Sequence, residues 1–260
     1  MDERASFWDH LEVLRGELLR CIVAVTLGGV FAFCLKEPLF RLVLAPTRSD
    51  FFFYRWIGVE QTSLRLVNTG LTEQMAAHLK MSLVAGLLVA SPYVLYALFR
   101  FVSPALYQHE RRYTVRLVAS SYTMFLLGVA VSYAIVVPLT VSFLGTYQVS
   151  PTVENMLTLS SYIDTLMVLL LMFGAAFQLP VVAWLLGRWG LLRSAWMQHY
   201  RRHAIVAVTV LMAVLTPSTD VLTLVVVSLP ICLLYEGSIW VVKAVEGAEP
   251  NSLPSEKENK

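Results

Sequence analysis

Charge is scarce in this sequence: Asp, Glu, Lys and Arg make up 15% of its 260 residues, where a soluble domain carries about a quarter. Hydrophobic residues reach 57% and mean hydropathy is +0.65. So few charges cannot cover so apolar a chain in water, and its apolar residues gather in the long runs that a lipid-facing solution requires. A net charge of +2, with no basic low-complexity run, excludes an electrostatic nucleic-acid surface. Cysteine occurs three times, at Cys21, Cys34 and Cys232, an odd number without paired spacing. Neither a disulfide framework nor a zinc site is expected, and each cysteine reads as a small buried hydrophobe. The polar opening Met-Asp-Glu-Arg argues against a cleavable signal peptide. There is no Gly-x-x-x-x-Gly-Lys phosphate loop, no Gly-x-Ser-Gly nucleophile and no His in the last apolar segment. The histidines (His10, His78, His109, His199, His203) read as arm or loop residues. No catalytic residue, metal or cofactor is expected, and an intramembrane protease is disfavoured.

What is abundant is apolar length. Six segments can be drawn, at about 21–35, 81–99, 115–137, 159–186, 204–215 and 221–242. A crossing helix needs about 20 residues. The first segment is short unless it extends back through Leu18 and Leu19. The fifth, at about 1.5 Å per residue, spans about 18 Å of a core about 30 Å thick. Thr216-Pro217-Ser218-Thr219-Asp220 then favours a turn, and Pro230 interrupts the sixth segment. Segments five and six thus read as a short helical hairpin. The fold class is an all-α membrane protein of six spans, a single domain over 1–245 with a polar tail from 246 to 260.

Basic residues orient the bundle. Arg4, Arg15 and Arg20 flank the first segment, Arg100, Arg111, Arg112 and Arg116 the second loop, and Arg188, Arg193, Arg201 and Arg202 the fourth. The stretches 138–158 and 216–220 contain no Lys or Arg. The first loop, 36–80, holds six, but long loops translocate largely regardless of charge. Both termini are therefore expected in the cytoplasm.

From Phe7 the chain reads Phe-Trp-Asp-His-Leu-Glu-Val-Leu-Arg, and Leu11, Leu14, Leu18 and Leu19 fall at helical spacing, an amphipathic arm over 6–20. After the second segment comes Phe101-Val-Ser-Pro104-Ala-Leu-Tyr107-Gln-His-Glu110-Arg-Arg. Pro104 ends a helix, Tyr107 suits the headgroup level, and Glu110 is the one carboxylate in a basic loop. Two readings stand for Glu110: an ion pair with Arg111 or Arg112 on a solvated face, or a binding group. Further along lie Ala45-Pro46, Lys80, Ser91-Pro92, Phe173-Gly-Ala-Ala-Phe177-Gln178-Leu-Pro180, Leu215-Thr-Pro217-Ser-Thr-Asp220 and Tyr235-Glu236-Gly237.

In order and spacing this set resembles the TatC family, the twin-arginine signal-peptide receptors of the Tat translocase, over residues 6–242. The resemblance implies a multi-pass protein of the bacterial or archaeal cytoplasmic membrane. It implies binding of twin-arginine signal peptides of folded cargo at the cytoplasmic face, and assembly with single-span TatA- and TatB-type proteins and with further copies of itself. Export would be driven by the proton-motive force. Adjacent guanidinium groups want carboxylates that accept paired hydrogen bonds. The resemblance assigns these to Glu12 and Glu110, with Arg15 and Phe101 shaping the pocket. Partner contact falls on Leu211 and Met212.

Two departures matter. The family's second N-terminal glutamate is Val13 here, while Glu17, one turn further along the same helix face, stands where relatives are often basic. Glu17 is expected to supply the missing carboxylate. Gln178 replaces a common glutamate, and either caps carbonyls freed by Pro180 or serves cargo passage. Asp220 is expected to cap the sixth segment. Asp164 reads as an interfacial residue or a proton relay, Glu236 as a partner of a neighbouring span, and residues 51–56 as an aromatic belt or loop core. A secondary transporter would show internal repeats and midplane charges; neither is evident.

Overall fold

The computed structural model describes residues 2–57, 65–102, 111–147, 150, 156–215 and 220–248. The chain divides into two units, Met1–Gly174 and Ala175–Lys260.

The first unit opens with α1 (Asp2–Cys34), one unbroken helix where the sequence reading had a surface arm followed by a span. No proline lies between residues 16 and 21, and the apolar stretch runs back to Leu11, giving a span of Leu11–Cys34. Only 11% of its most apolar window is buried. A helix this apolar and this exposed must be covered by lipid or by another chain.

Helix α1 lies against α4 (Glu73–Val102) at glycines on both sides. A Cβ placed on Gly86 would stand 2.3 Å from the Gly29 nitrogen and 2.6 Å from the Val25 oxygen, and one on Gly28 would stand 2.9 Å from the Gly86 oxygen. Backbones approach this closely only where both faces lack side chains. Pro92 sits inside α4, yet the helix continues. The Leu88 carbonyl, which the residue-92 N–H would have bonded, accepts instead from the Ser91 hydroxyl at 2.7 Å. His78, expected in a loop, is a buried residue of α4 stacked on Phe33 with ring centroids 4.1 Å apart.

Between α1 and α4 run α2 (Lys36–Val43), a 3₁₀ turn (Ala45–Thr47), α3 (Phe52–Ile57) and β1 (Leu66–Val67). The aromatic run here is a loop core rather than a belt: Phe51, Phe53 and Tyr54 are buried, with Tyr133 and Leu139 against them. Tyr54 Oη reaches the carbonyls of Pro46 (2.9 Å) and Pro138 (3.2 Å). Tyr133 donates to Leu42 O at 2.7 Å and Tyr162 to Val43 O at 2.6 Å. Tyrosines thus satisfy the orphan carbonyls at the end of α2.

Helix α5 (Arg111–Val131) passes through a π-helical turn (Ser132–Val136) into α6 (Val137–Thr146). The sequence reading ended this span at residue 137, ahead of Pro138. Instead the wide turn bonds Val137 N–H to Ser132 O and places Pro138 in the first turn of α6, where its missing donor costs little. Then β2 (Leu157–Thr158) pairs in parallel with β1, Leu66 opposite Leu157, a two-residue strand pair in a chain expected to be wholly helical. Helix α7 (Leu159–Ala176) follows. Glu73 joins the two ends: it accepts from the N–H groups of Thr69 (2.7 Å), Gly70 (3.0 Å) and Ser160 (2.6 Å). Lys80 Nζ bonds Asp164 Oδ1 at 2.6 Å, so Asp164, near the start of α7, is half of a partly exposed ion pair.

The second unit holds α8 (Leu179–Arg188), α9 (Ser194–His199), α10 (Arg201–Leu215) and α11 (Val221–Ala248). Helix α8 restarts after a break at Phe177–Gln178. Gln178 occupies its N-cap, the carbonyl accepting from Val182 N–H at 2.9 Å, with no side-chain cap bond, and Pro180 stands in the first turn. Pro230 lies inside α11 without interrupting it, contrary to expectation. The Asp220 carboxylate accepts from Thr223 N–H at 2.6 Å, the expected cap of α11. Helix α11 also runs past residue 246, the expected start of the tail, because Glu246 accepts the Ser194 N–H at 2.8 Å and its hydroxyl, capping α9.

Among the described residues, five helical stretches are long and apolar enough to cross a bilayer: Leu11–Cys34, Glu73–Phe101, Val115–Thr146, Leu159–Arg188 and Thr223–Gly247. The expected fifth of six, α10, has 15 residues and spans about 22 Å. Cys34 is exposed, not buried as expected, whereas Cys21 and Cys232 are half-buried; all three are free thiols.

Candidate functional site

Where α1 meets the last turns of α4, one carboxylate stands inside a ring of donors. Glu17 is 7% exposed on a helix whose neighbouring residues face outward. Its Oε1 lies 3.0 Å from Arg20 Nη1, one turn along α1, and 3.4 Å from Arg100 Nη1 in the last turn of α4. Tyr93 Oη, two turns earlier on α4, donates to Oε2 at 3.4 Å. A desolvated carboxylate needs such partners, since an unpaired one would protonate or swing out to water. Both arginines remain substantially exposed, so the cluster is open on its guanidinium side. Both guanidinium groups sit on the open side of one carboxylate, so incoming donors can take their place on Glu17.

The sequence-predicted residues distribute around this corner unequally. Phe101 is half-buried and directly follows Arg100. Glu12 and Arg15 are exposed on α1, five and two residues before Glu17, and Val13 is 55% exposed. Pro104, Tyr107 and Glu110 lie outside the described residues, as does Pro217. Sequence reasoning missed Arg20, Arg100 and Tyr93. Arg100 had a signal, standing immediately before the Phe101 motif; Tyr93 had none, because an aromatic within an apolar run looks like any other.

The remaining motif residues are local to their own units. Pro46 offers its carbonyl to Tyr54. In the second unit Arg201 Nη2 bonds Glu236 Oε2, which gives Glu236 the partner the sequence could not name. Leu211 is 52% exposed on α10, whereas Met212 is 3% exposed. Among the described residues no three His, Cys, Asp or Glu side chains gather as a metal site.

A sequence model of the Sec-independent protein translocase protein TatC matches residues 9–230. The TatC protein of Desulforapulum autotrophicum is 34% identical over 238 residues, covering 92% of this chain and 84% of that protein. The Aquifex aeolicus TatC protein is 33% identical over 238 residues, covering 90% and 93%. A crystal structure of the twin arginine translocase receptor TatC superposes with a TM-score of 0.77 at 32% identity, over 91% of this chain and 99% of that one. The family match runs through the arm of α1, the glycine-lined α1–α4 contact and the first ten residues of α11, so it embraces the Glu17 corner together with its scaffold. A multi-pass helical chain with that span of likeness belongs to the TatC family of Sec-independent translocase proteins.

Proposed function

We propose that the chain is the signal-peptide receptor of its translocase, binding twin-arginine signal peptides where α1 meets the end of α4. The observation that carries this is the Glu17 corner: a partly desolvated carboxylate whose own guanidinium partners, Arg20 and Arg100, are exposed enough to move to water and yield their places to an arginine pair. Glu17 takes the place of the carboxylate absent at Val13. Glu12 and Glu110 extend the acidic surface toward the following residues of the peptide, and Arg15 and Phe101 border it. The solved structure of a relative described as a twin arginine translocase receptor supports the same reading.

The corner faces the cytoplasm in this proposal, with both termini on that side, by the distribution of Lys and Arg. Helix α10 is the sixth crossing, short enough to thin the bilayer beside it. The receptor sits in the cytoplasmic membrane, assembles with TatA- and TatB-type single-span proteins and with its own copies, and exports folded cargo on the proton-motive force. It performs no catalysis of its own.

The test is photo-crosslinking from positions 101 and 110 to a signal peptide carrying Arg-Arg and to the same peptide carrying Lys-Lys. Labelling that depends on the arginine pair is expected, because lysine cannot reproduce bidentate geometry. Equal labelling, or none, would return the chain to a translocase component without a receptor role. For the single-span partner, crosslinks are expected from Leu211, which faces outward. Met212 faces into its own unit and should label weakly; the reverse order would remove α10 as the partner face.

A further inference from the structure

The second unit contains a cavity of about 350 Å³ between α8, α9 and α11 that the receptor reading does not use. Leu179, Val182, Ala183 and Leu186 of α8 form one wall, and Trp196 and Tyr200 stand at and just beyond α9. The lining offers almost nothing polar to an occupant. Tyr235 Oη donates to Met197 O at 2.9 Å, and Ser238 Oγ donates to Leu234 O at 2.7 Å. An apolar space in a chain surrounded by lipid, with its polar atoms already engaged, takes hydrocarbon in preference to water.

The rim has the opposite character. Residues 188–203 contain four arginines and no acid. Arg193 directly precedes α9 and Arg202 lies just past Tyr200, both exposed. Arg201 is engaged by Glu236. Trp196 and Tyr200 are more than half exposed, as aromatic residues at headgroup depth are. An apolar lining that includes two exposed aromatic rings, with exposed arginines next to Leu192 and just beyond Tyr200 in the chain, matches an acyl chain joined to a phosphate.

We propose that this cavity is a specific site for an anionic phospholipid, one acyl chain entering between α8 and α11 and the phosphate held by Arg193 and Arg202. The bound lipid fills the space under α9 and ties that short helix to the bilayer surface. Free phosphate does not suffice, because the arginines are exposed and the anchoring comes from the chain.

The full-length protein in nanodiscs would be exposed to phosphatidylglycerol and to phosphatidylcholine bearing the same photoreactive acyl chain. Labelled peptides would be mapped for the isolated protein and for the assembled translocase. Labelling is expected at residues 179–200, with phosphatidylglycerol favoured by about fivefold for each arginine engaged. Arg193→Gln with Arg202→Gln should abolish that preference while leaving chain labelling in place. Val182→Trp, which fills the cavity from a half-open position, should reduce labelling by both lipids while signal-peptide crosslinking at positions 101 and 110 persists. Equal labelling by the two lipids overturns the proposal, as does labelling indifferent to Val182→Trp. Loss of labelling in the assembled translocase overturns it too, and assigns the cavity to a partner helix.

Discussion

A Gly86→Leu variant will fail to accumulate as a folded membrane protein, and Gly86→Ala will already lower its melting temperature in detergent. Any Cβ at residue 86 falls 2.3 Å from the Gly29 nitrogen and 2.6 Å from the Val25 oxygen. Both obstacles are backbone, so no side-chain rotation relieves the overlap and α1 must move away from α4. Overpacking in a core costs about 1–3 kcal/mol where side chains can yield. Here they cannot, and a cost at or above the top of that range consumes a large part of a marginal stability. Gly16→Ala is the control: a Cβ there meets nothing within 4 Å, so the change should be neutral or slightly stabilising. Melting curves for Gly86→Ala that overlay the parent would mean that the two helices are not in contact at these glycines.

The second large effect concerns binding. Glu17→Ala should weaken a twin-arginine signal peptide by roughly 10- to 100-fold, the loss of a charged hydrogen bond of about 1.5–3 kcal/mol. It should cost the protein itself only about 1 kcal/mol, because Arg20 and Arg100 are half-exposed and regain water when released. That separation distinguishes a binding carboxylate from a structural one. Titration of the peptide against the variant, beside its melting curve, reads both quantities. Undiminished binding in Glu17→Ala, together with its loss in Glu110→Ala, would leave Glu17 a scaffold residue and place recognition on the second loop.

The spans were legible in the sequence because apolar length is a one-dimensional property. Their ends were not. Pro138 looked like a stop, yet the π-helical turn at Ser132–Val136 absorbs it, and only backbone geometry records that widening. Pro230 and the polar residues from 246 onward misled in the same way, since a helix can carry a proline in lipid and Glu246 has a remote use as a cap. At the candidate site the family motif pointed to Phe101, and Glu17 was reached from the missing carboxylate at Val13, one turn before it on the same helix face. Arg100 and Tyr93 could not be connected to Glu17, being 83 and 76 residues away in the chain. Glu73 was invisible altogether: one of four acidic residues in the long first loop, it has no signature until the amides it gathers are seen.

Those amides also impose an order on synthesis. Glu73 leaves the ribosome 87 residues ahead of Ser160, and Lys80 is made 84 residues before Asp164. Tyr54 waits as long for Pro138, and Val43 waits 119 residues for Tyr162. At about 5–20 residues per second, each 84- to 87-residue wait lasts about 4 to 17 seconds. Throughout that interval the segment between the first two spans has crossed its polar contacts off to partners not yet translated. Whatever shelters the nascent chain must hold it open until the fourth span emerges.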